Sequence, residues 1–174
     1  YFSRNVRAMI SSIARLDPQA FSTHAKIGGH YVNSFNATQE AMEKGFDSAI
    51  LLDHRGYIAE APVANIFVVK NRELLTPTPE FILPGITRKT ILEIYSKING
   101  IHEVDMSIKD LWDADEIFLC GTATEIVPVT FIDYENVRPR MAIRQKKVGN
   151  GKAGPITKKL QKLYGQIVRG EIPE

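Results

Sequence analysis

The sequence contains a single cysteine, Cys120, and a single tryptophan, Trp112, in 174 residues. One thiol cannot form an internal disulfide, and a chain of this length needs none to hold a core, which suits a reducing cytoplasm. The four histidines, at positions 24, 30, 54 and 102, form no HExxH grouping, and no CxxC pair accompanies them. A metal centre is therefore not expected, and these rings read as structural or exposed. No run of about 18 apolar residues is present to span a membrane. The opening YFSRNVRAMI lacks the charged, apolar and cleavage regions of a secretory leader. Internal repeats and low-complexity linkers are also absent, so the expectation is a soluble, cytoplasmic protein. The chain opens without a methionine, and VRAMISSIAR reads as a strand already in progress, so a missing N-terminal part is expected.

What is present describes one globular unit. Hydrophobic residues make up 44% of the chain and charged residues 24%, enough for one substantial core. The net charge of +2 hides an asymmetry: residues 1–137 carry 12 Lys+Arg against 18 Asp+Glu, and residues 138–174 carry 10 against 2. A basic tail could meet nucleic acid. However, Leu160, Leu163, Tyr164, Ile167 and Val168 recur at helical spacing, with Pro155 upstream and Thr157 as a candidate N-cap. A docked amphipathic helix with a solvated lysine face fits that pattern better.

Local signals outline the remaining elements. Residues 33–44 are expected to be helical and to stop at Gly45; SAILLD, a DHRG turn and YIAE read as a hairpin, followed by the strand NIFVVK. In LPGITRKTILEIYSKI the amphipathic pattern starts at Gly85, and Asn99 and Gly100 end it. HEVDMS, EIFLC and TEIVPVTFI supply further strands, with a short helical piece around Leu111. The resulting expectation is an α+β fold, a mixed-strand sheet with helices outside it.

Candidate chemistry gathers at four places. The stretch HAKIGGHYVNS puts Lys26 before Gly28 and Gly29, which permit close approach of a bulky ligand, and before Tyr31. The start of the helix at Gly85, Ile86 and Thr87 offers free N–H groups, a positive dipole end and a hydroxyl, the makings of an anion site. GTAT at 121–124 offers a second set of donors at a strand end, and Glu60 adds a carboxylate where a hairpin strand ends. A lysine able to form a Schiff base, two phosphate-holding turns and a carboxylate are the parts a pyridoxal-phosphate enzyme needs. Each alone also has an ordinary structural reading, as do the buried-strand Cys120 and the acids Asp113, Asp115 and Glu116, expected at a polar helix-to-strand turn.

Taken in order, AKIGGHYVNS, GYIAEAPVANIF, ILPGITRKT, ADEIFLCGTATEIVPV and GNGKAGPITKKLQ resemble the branched-chain amino acid aminotransferases, fold-type IV pyridoxal-phosphate enzymes. The resemblance spans nearly the whole chain, and the last two motifs favour this group over its relatives, the D-amino acid aminotransferases and aminodeoxychorismate lyases. It implies the larger C-terminal domain of the class IV fold, a pseudo-barrel of mixed strands flanked by helices, with the smaller N-terminal domain absent. It also implies transamination of branched-chain L-amino acids with 2-oxoglutarate, in a homodimer or higher homo-oligomer.

Carried over by residue, the resemblance makes Lys26 the covalent attachment point of pyridoxal 5'-phosphate and the proton carrier, and Glu60 the acid paired with the pyridine nitrogen. Tyr31 matches the tyrosine beside the phenolic oxygen. Gly85, Ile86 and Thr87 match the phosphate-binding helix start, and Thr122 matches a second phosphate ligand. The N–H groups of Thr122 and Ala123 match the donors to the substrate carboxylate. On this basis Lys26 is expected to be partly buried. The sequence departs from the family pattern at His30, where relatives often carry asparagine, and at APVA after the acid, where they often have a glycine-containing stretch.

Overall fold

The computed structural model describes residues 5–137 and 144–171. The elements run β1 (Val6–Ile10), α1 (Tyr31–Glu43), β2 (Ser48–Ile50), β3 (Asn65–Lys70), β4 (Glu73–Pro77), α2 (Ile86–Ser96), β5 (Ile101–Val104), α3 (Ile108–Trp112), β6 (Glu116–Gly121), β7 (Glu125–Asp133), β8 (Gln145–Lys147) and α4 (Pro155–Val168). They build one eight-stranded sheet in the order β2-β1-β7-β6-β3-β4-β5, with β8 pairing to β7 beside this path. β1 runs parallel to β2 and β7, β4 runs parallel to β5, and the other pairs are antiparallel. The expected mixed sheet with flanking helices is what forms.

Alternation along the central strands explains why helices sit outside. Ile66 and Val68 of β3, with Ile117 and Leu119 of β6, join one core that includes Ile10, Ile50 and Met106. The intervening Phe67, Val69 and Phe118 point the other way and pack with Ile91 and Tyr95 of α2 and Leu160 and Tyr164 of α4. Successive side chains on a strand face opposite sides, so an almost continuous apolar run such as NIFVV needs cover on both faces. Ala37 and Ala41 of α1 cover Met9, Ala49 and Leu51 in a third cluster.

The hairpin through DHRG is present, carried by a Leu52–Ile58 bridge and by Asp53 N–H donating to the Tyr57 carbonyl at 2.8 Å. β4, the stretch ELLTP, is a strand that the local signals did not mark.

Two expectations at the far end of the sheet need correction. Thr157 does not cap α4: Gly154 is the N-cap and Pro155 opens the helix, where its missing N–H costs nothing. Thr157 is instead fully buried. Glu116 does not sit in a solvated turn either; it is buried and accepts from Ile156 N at 3.0 Å, Thr157 N at 2.8 Å and Thr157 Oγ1 at 2.7 Å. Thus a glutamate at the start of β6 satisfies the first turn of α4. Gly154 is required there because a Cβ would fall inside the Glu116 carboxyl.

The tail helix docks as expected, with Leu160 and Tyr164 inside and Lys158, Lys159 and Lys162 exposed. Arg138 and Arg140 of the basic tail lie outside the described residues. Among the described residues no helix is long and apolar enough to cross a membrane.

Candidate active site

The β6–β7 turn, the start of α2 and the loop before α1 converge on one cavity of about 420 Å³. Lys26, Tyr31, Glu60, Gly85, Ile86, Thr87, Thr122 and Ala123 all line it. The two turns that could hold an anion, at 85–87 and 121–124, therefore share one space.

Glu60 is the most constrained of these groups. It is 5% exposed. Arg15 Nε donates to Oε1 at 2.6 Å, Asn65 Nδ2 donates to Oε2 at 2.9 Å, and Leu83 N–H reaches both oxygens at 3.2 Å. Burial pushes this carboxyl above the ordinary carboxylate range; the Arg15 guanidinium, the Leu83 N–H and the charge of Arg88 pull it back without cancelling the rise. A cation brought against Glu60 inside the cavity would therefore meet a carboxylate short of solvation, where attraction is stronger than in water.

The anion-holding side is built by the α2 start. Gly85 is the N-cap, in extended conformation, and no side chain caps the helix, so the first N–H groups remain available. Asn65 explains why glycine stands there: its amide donates to Glu60 and to the Leu83 carbonyl at 2.8 Å, and its Oδ1 occupies the place a Gly85 Cβ would take. Thr87 is buried, with its hydroxyl 3.1 Å from Tyr164 Oη, so α4 braces this helix start. Opposite, Thr122 and Ala123 are exposed at the turn between β6 and β7.

Lys26 departs from expectation: it is exposed at the cavity rather than partly buried. Its loop is held from behind, by Thr23 Oγ1 donating to the Glu80 carbonyl at 2.9 Å and by His24 Nε2 lying 2.9 Å from the Pro79 carbonyl. Added side-chain carbon at Gly28 or Gly29 would meet open space.

Arg15, Asn65 and Tyr164 are site-supporting residues that sequence reasoning missed. No local signal marks Arg15, which reaches Glu60 across 45 positions of chain. Asn65, five residues after Glu60, could have been noticed as the one amide opening an otherwise apolar strand. Tyr164 was visible only as part of an apolar stripe.

The wall also carries unmet polar capacity. Among the described residues, seven buried side-chain atoms lack a hydrogen-bond partner, and four of them, Arg15 Nη1, both ring nitrogens of His30 and Thr124 Oγ1, belong to residues lining this cavity. Buried polar groups are rarely left unpaired, so this concentration fits a polar occupant. A lysine amine, a buried carboxylate, free helix N–H groups and a hydroxyl turn fit a phosphorylated, cationic, carbonyl-bearing cofactor such as pyridoxal phosphate.

The amino-transferase class IV model matches residues 1–132, and the chain belongs to that family. A probable branched-chain-amino-acid aminotransferase of Aquifex aeolicus is 42% identical over 173 residues, covering 98% of this chain and 52% of the relative. The crystal structure of the Escherichia coli branched-chain amino acid aminotransferase superimposes with a TM-score of 0.89 at 36% identity, covering 99% of this chain and 54% of that one. The T.th. branched-chain amino acid aminotransferase, complexed with N-(5'-phosphopyridoxyl)-L-glutamate, gives a TM-score of 0.88 at 34% identity, covering 99% and 54%. The chain thus spans about half the length of the relatives it matches.

Proposed function

We propose that this chain is the cofactor-binding domain of a pyridoxal-phosphate-dependent enzyme that transaminates leucine, isoleucine or valine with 2-oxoglutarate. The carrying observation is the convergence of Lys26, Glu60 and both anion-holding turns on one cavity. The similarity to branched-chain aminotransferases, one of them holding a phosphopyridoxyl-glutamate, supports the substrate class.

When bound, pyridoxal phosphate supplies an electron sink for the pair left at the substrate Cα when its proton departs. Lys26 presents Nζ for covalent attachment and, once displaced by substrate, accepts and returns the Cα proton at that nitrogen. Glu60 holds a proton at the pyridine nitrogen, and Arg15 and Asn65 fix the carboxylate for that purpose. The N–H groups of Gly85, Ile86 and Thr87, with the Thr122 hydroxyl, hold the phosphate. Tyr31 donates toward the phenolic oxygen, and the N–H groups of Thr122 and Ala123 orient the substrate carboxylate.

The remaining length of the protein, on this reading a small N-terminal domain, and a second subunit complete the site. Ile27, Val63 and Ile86 at the cavity and Val32 and Phe35 on α1 stay exposed here and suit such cover. A cytoplasmic location belongs to the same reading and agrees with the one cysteine, free and buried. Borohydride reduction of the cofactor-loaded protein followed by peptide mapping should place a pyridoxyl group on Lys26; labelling confined to Lys158 or Lys159 would reject the assignment.

A further inference from the structure

His30 is 7% exposed, lies on the cavity wall, and has no partner among the described residues at either Nδ1 or Nε2. Phe21 meets its ring edge-on, with centroids 5.7 Å apart and planes at 88°. That contact satisfies the carbon skeleton and neither nitrogen. An imidazole brings at least one N–H donor, and a buried polar group left unpaired costs about 1–3 kcal/mol. Phenylalanine would keep the edge-on contact without that cost, so packing does not account for a histidine here. The ring's backbone neighbours are Gly29 and Tyr31, at the point where a short 3-10 turn (Gly28–His30) leads into α1. The residue therefore belongs to the same segment as Lys26, and it lines the cavity together with Arg15 and Thr124, whose side chains also carry an unpaired buried atom each.

We propose that His30 is a positioning residue that completes its hydrogen bonding when the cavity is filled, donating a ring N–H to an anionic oxygen of bound pyridoxal phosphate. The inference rests on the cofactor reading above and adds a ligand-holding role for a residue outside the lysine, acid and phosphate-turn set. Its conformational use is plain: a donor one residue from Tyr31 ties the first turn of α1, and with it the Lys26 loop, to the occupant.

The test uses the full-length protein. Cofactor affinity is read from the absorbance of bound pyridoxal phosphate for wild type, His30→Phe and His30→Asn, and the His30 ring nitrogens are followed by NMR in wild type as the cofactor is added. The expected result is a loss of about tenfold in affinity for His30→Phe, the size of one charge-assisted hydrogen bond. Retention within about threefold is expected for His30→Asn, whose amide still donates, together with a shifted His30 nitrogen resonance. Equal binding by wild type and His30→Phe with an unmoved resonance overturns this inference alone. Failure of wild type to take up pyridoxal phosphate overturns both this inference and the proposed function. If His30→Phe does not fold, the wild-type resonance decides.

Discussion

Two buried glutamates stand at opposite ends of the β3–β6 pair and have opposite fates. In the register of that pair Asn65 faces Cys120 at one end and Val69 faces Glu116 at the other; Glu60 is tied to Asn65. Glu116 commits its oxygens to two backbone N–H groups and a hydroxyl of α4, so its charge is consumed in joining helix to sheet. Glu60 is held by Arg15, Asn65 and Leu83 but still faces a cavity whose wall keeps unpaired polar atoms. Burial alone therefore does not mark a functional acid. What distinguishes the two is their surroundings: Glu60 shares its cavity with Lys26 and both anion-holding turns, whereas Glu116 is set against the first turn of α4.

The sharpest way to break this comparison is to neutralise each acid. In the full-length enzyme Glu60→Gln keeps the shape and one acceptor oxygen, sets an NH2 against donors that now reach a carboxylate oxygen, and loses the charge that on the proposed reading favours a protonated pyridine nitrogen. Single-turnover removal of the leucine Cα proton should slow on the order of 10²-fold or more, comparable to losing one preorganised electrostatic contact, while pyridoxal phosphate still binds in part. An unchanged rate would assign the pyridine nitrogen to another group. Glu116→Ala should instead leave turnover per folded molecule unaltered. It should lower unfolding free energy by roughly 2–3 kcal/mol in denaturant titrations, because the donors at the start of α4 lose their acceptor. A stability change within about 0.5 kcal/mol, the range of ordinary surface substitutions, would contradict the role given to it.

A smaller effect concerns pH. Because burial holds the Glu60 carboxyl above its ordinary value in the folded chain, the folded state binds that proton more tightly than the unfolded state. Its stabilising contribution is complete below the ordinary glutamate value of about 4.3 and is lost as pH rises through the higher folded value. The stability of the cofactor-free wild type measured against Glu60→Gln should therefore shift against the wild type as pH rises from about 4 toward neutrality. A pH-independent difference would mean that Arg15 fully offsets the burial.

Much of the fold was legible because its signals are local. Short apolar runs in NIFVVK and TEIVPVTFI, the glycine stop after α1 and the proline-led starts of α2 and α4 act over a few residues. The strand β4 was missed because ELLTP is short and ends in proline; parallel pairing with β5 and cover from the adjacent core make it a strand. The lysine, acid and two anion-holding turns were readable as motifs and through their resemblance to a family.

Sequence by itself determined which groups could do chemistry and which segments would be helix or strand, since residue type and short-range periodicity carry both. Only the tertiary structure decided which charges remain available. It took Glu116 out of solvent and set it against the first turn of α4, left Lys26 exposed, placed Arg15 against Glu60 from 45 positions away and buried the His30 ring beside the cavity. Those outcomes depend on distances between segments remote in the chain. Desolvation and hydrogen-bond satisfaction act through space, so no local pattern encodes them.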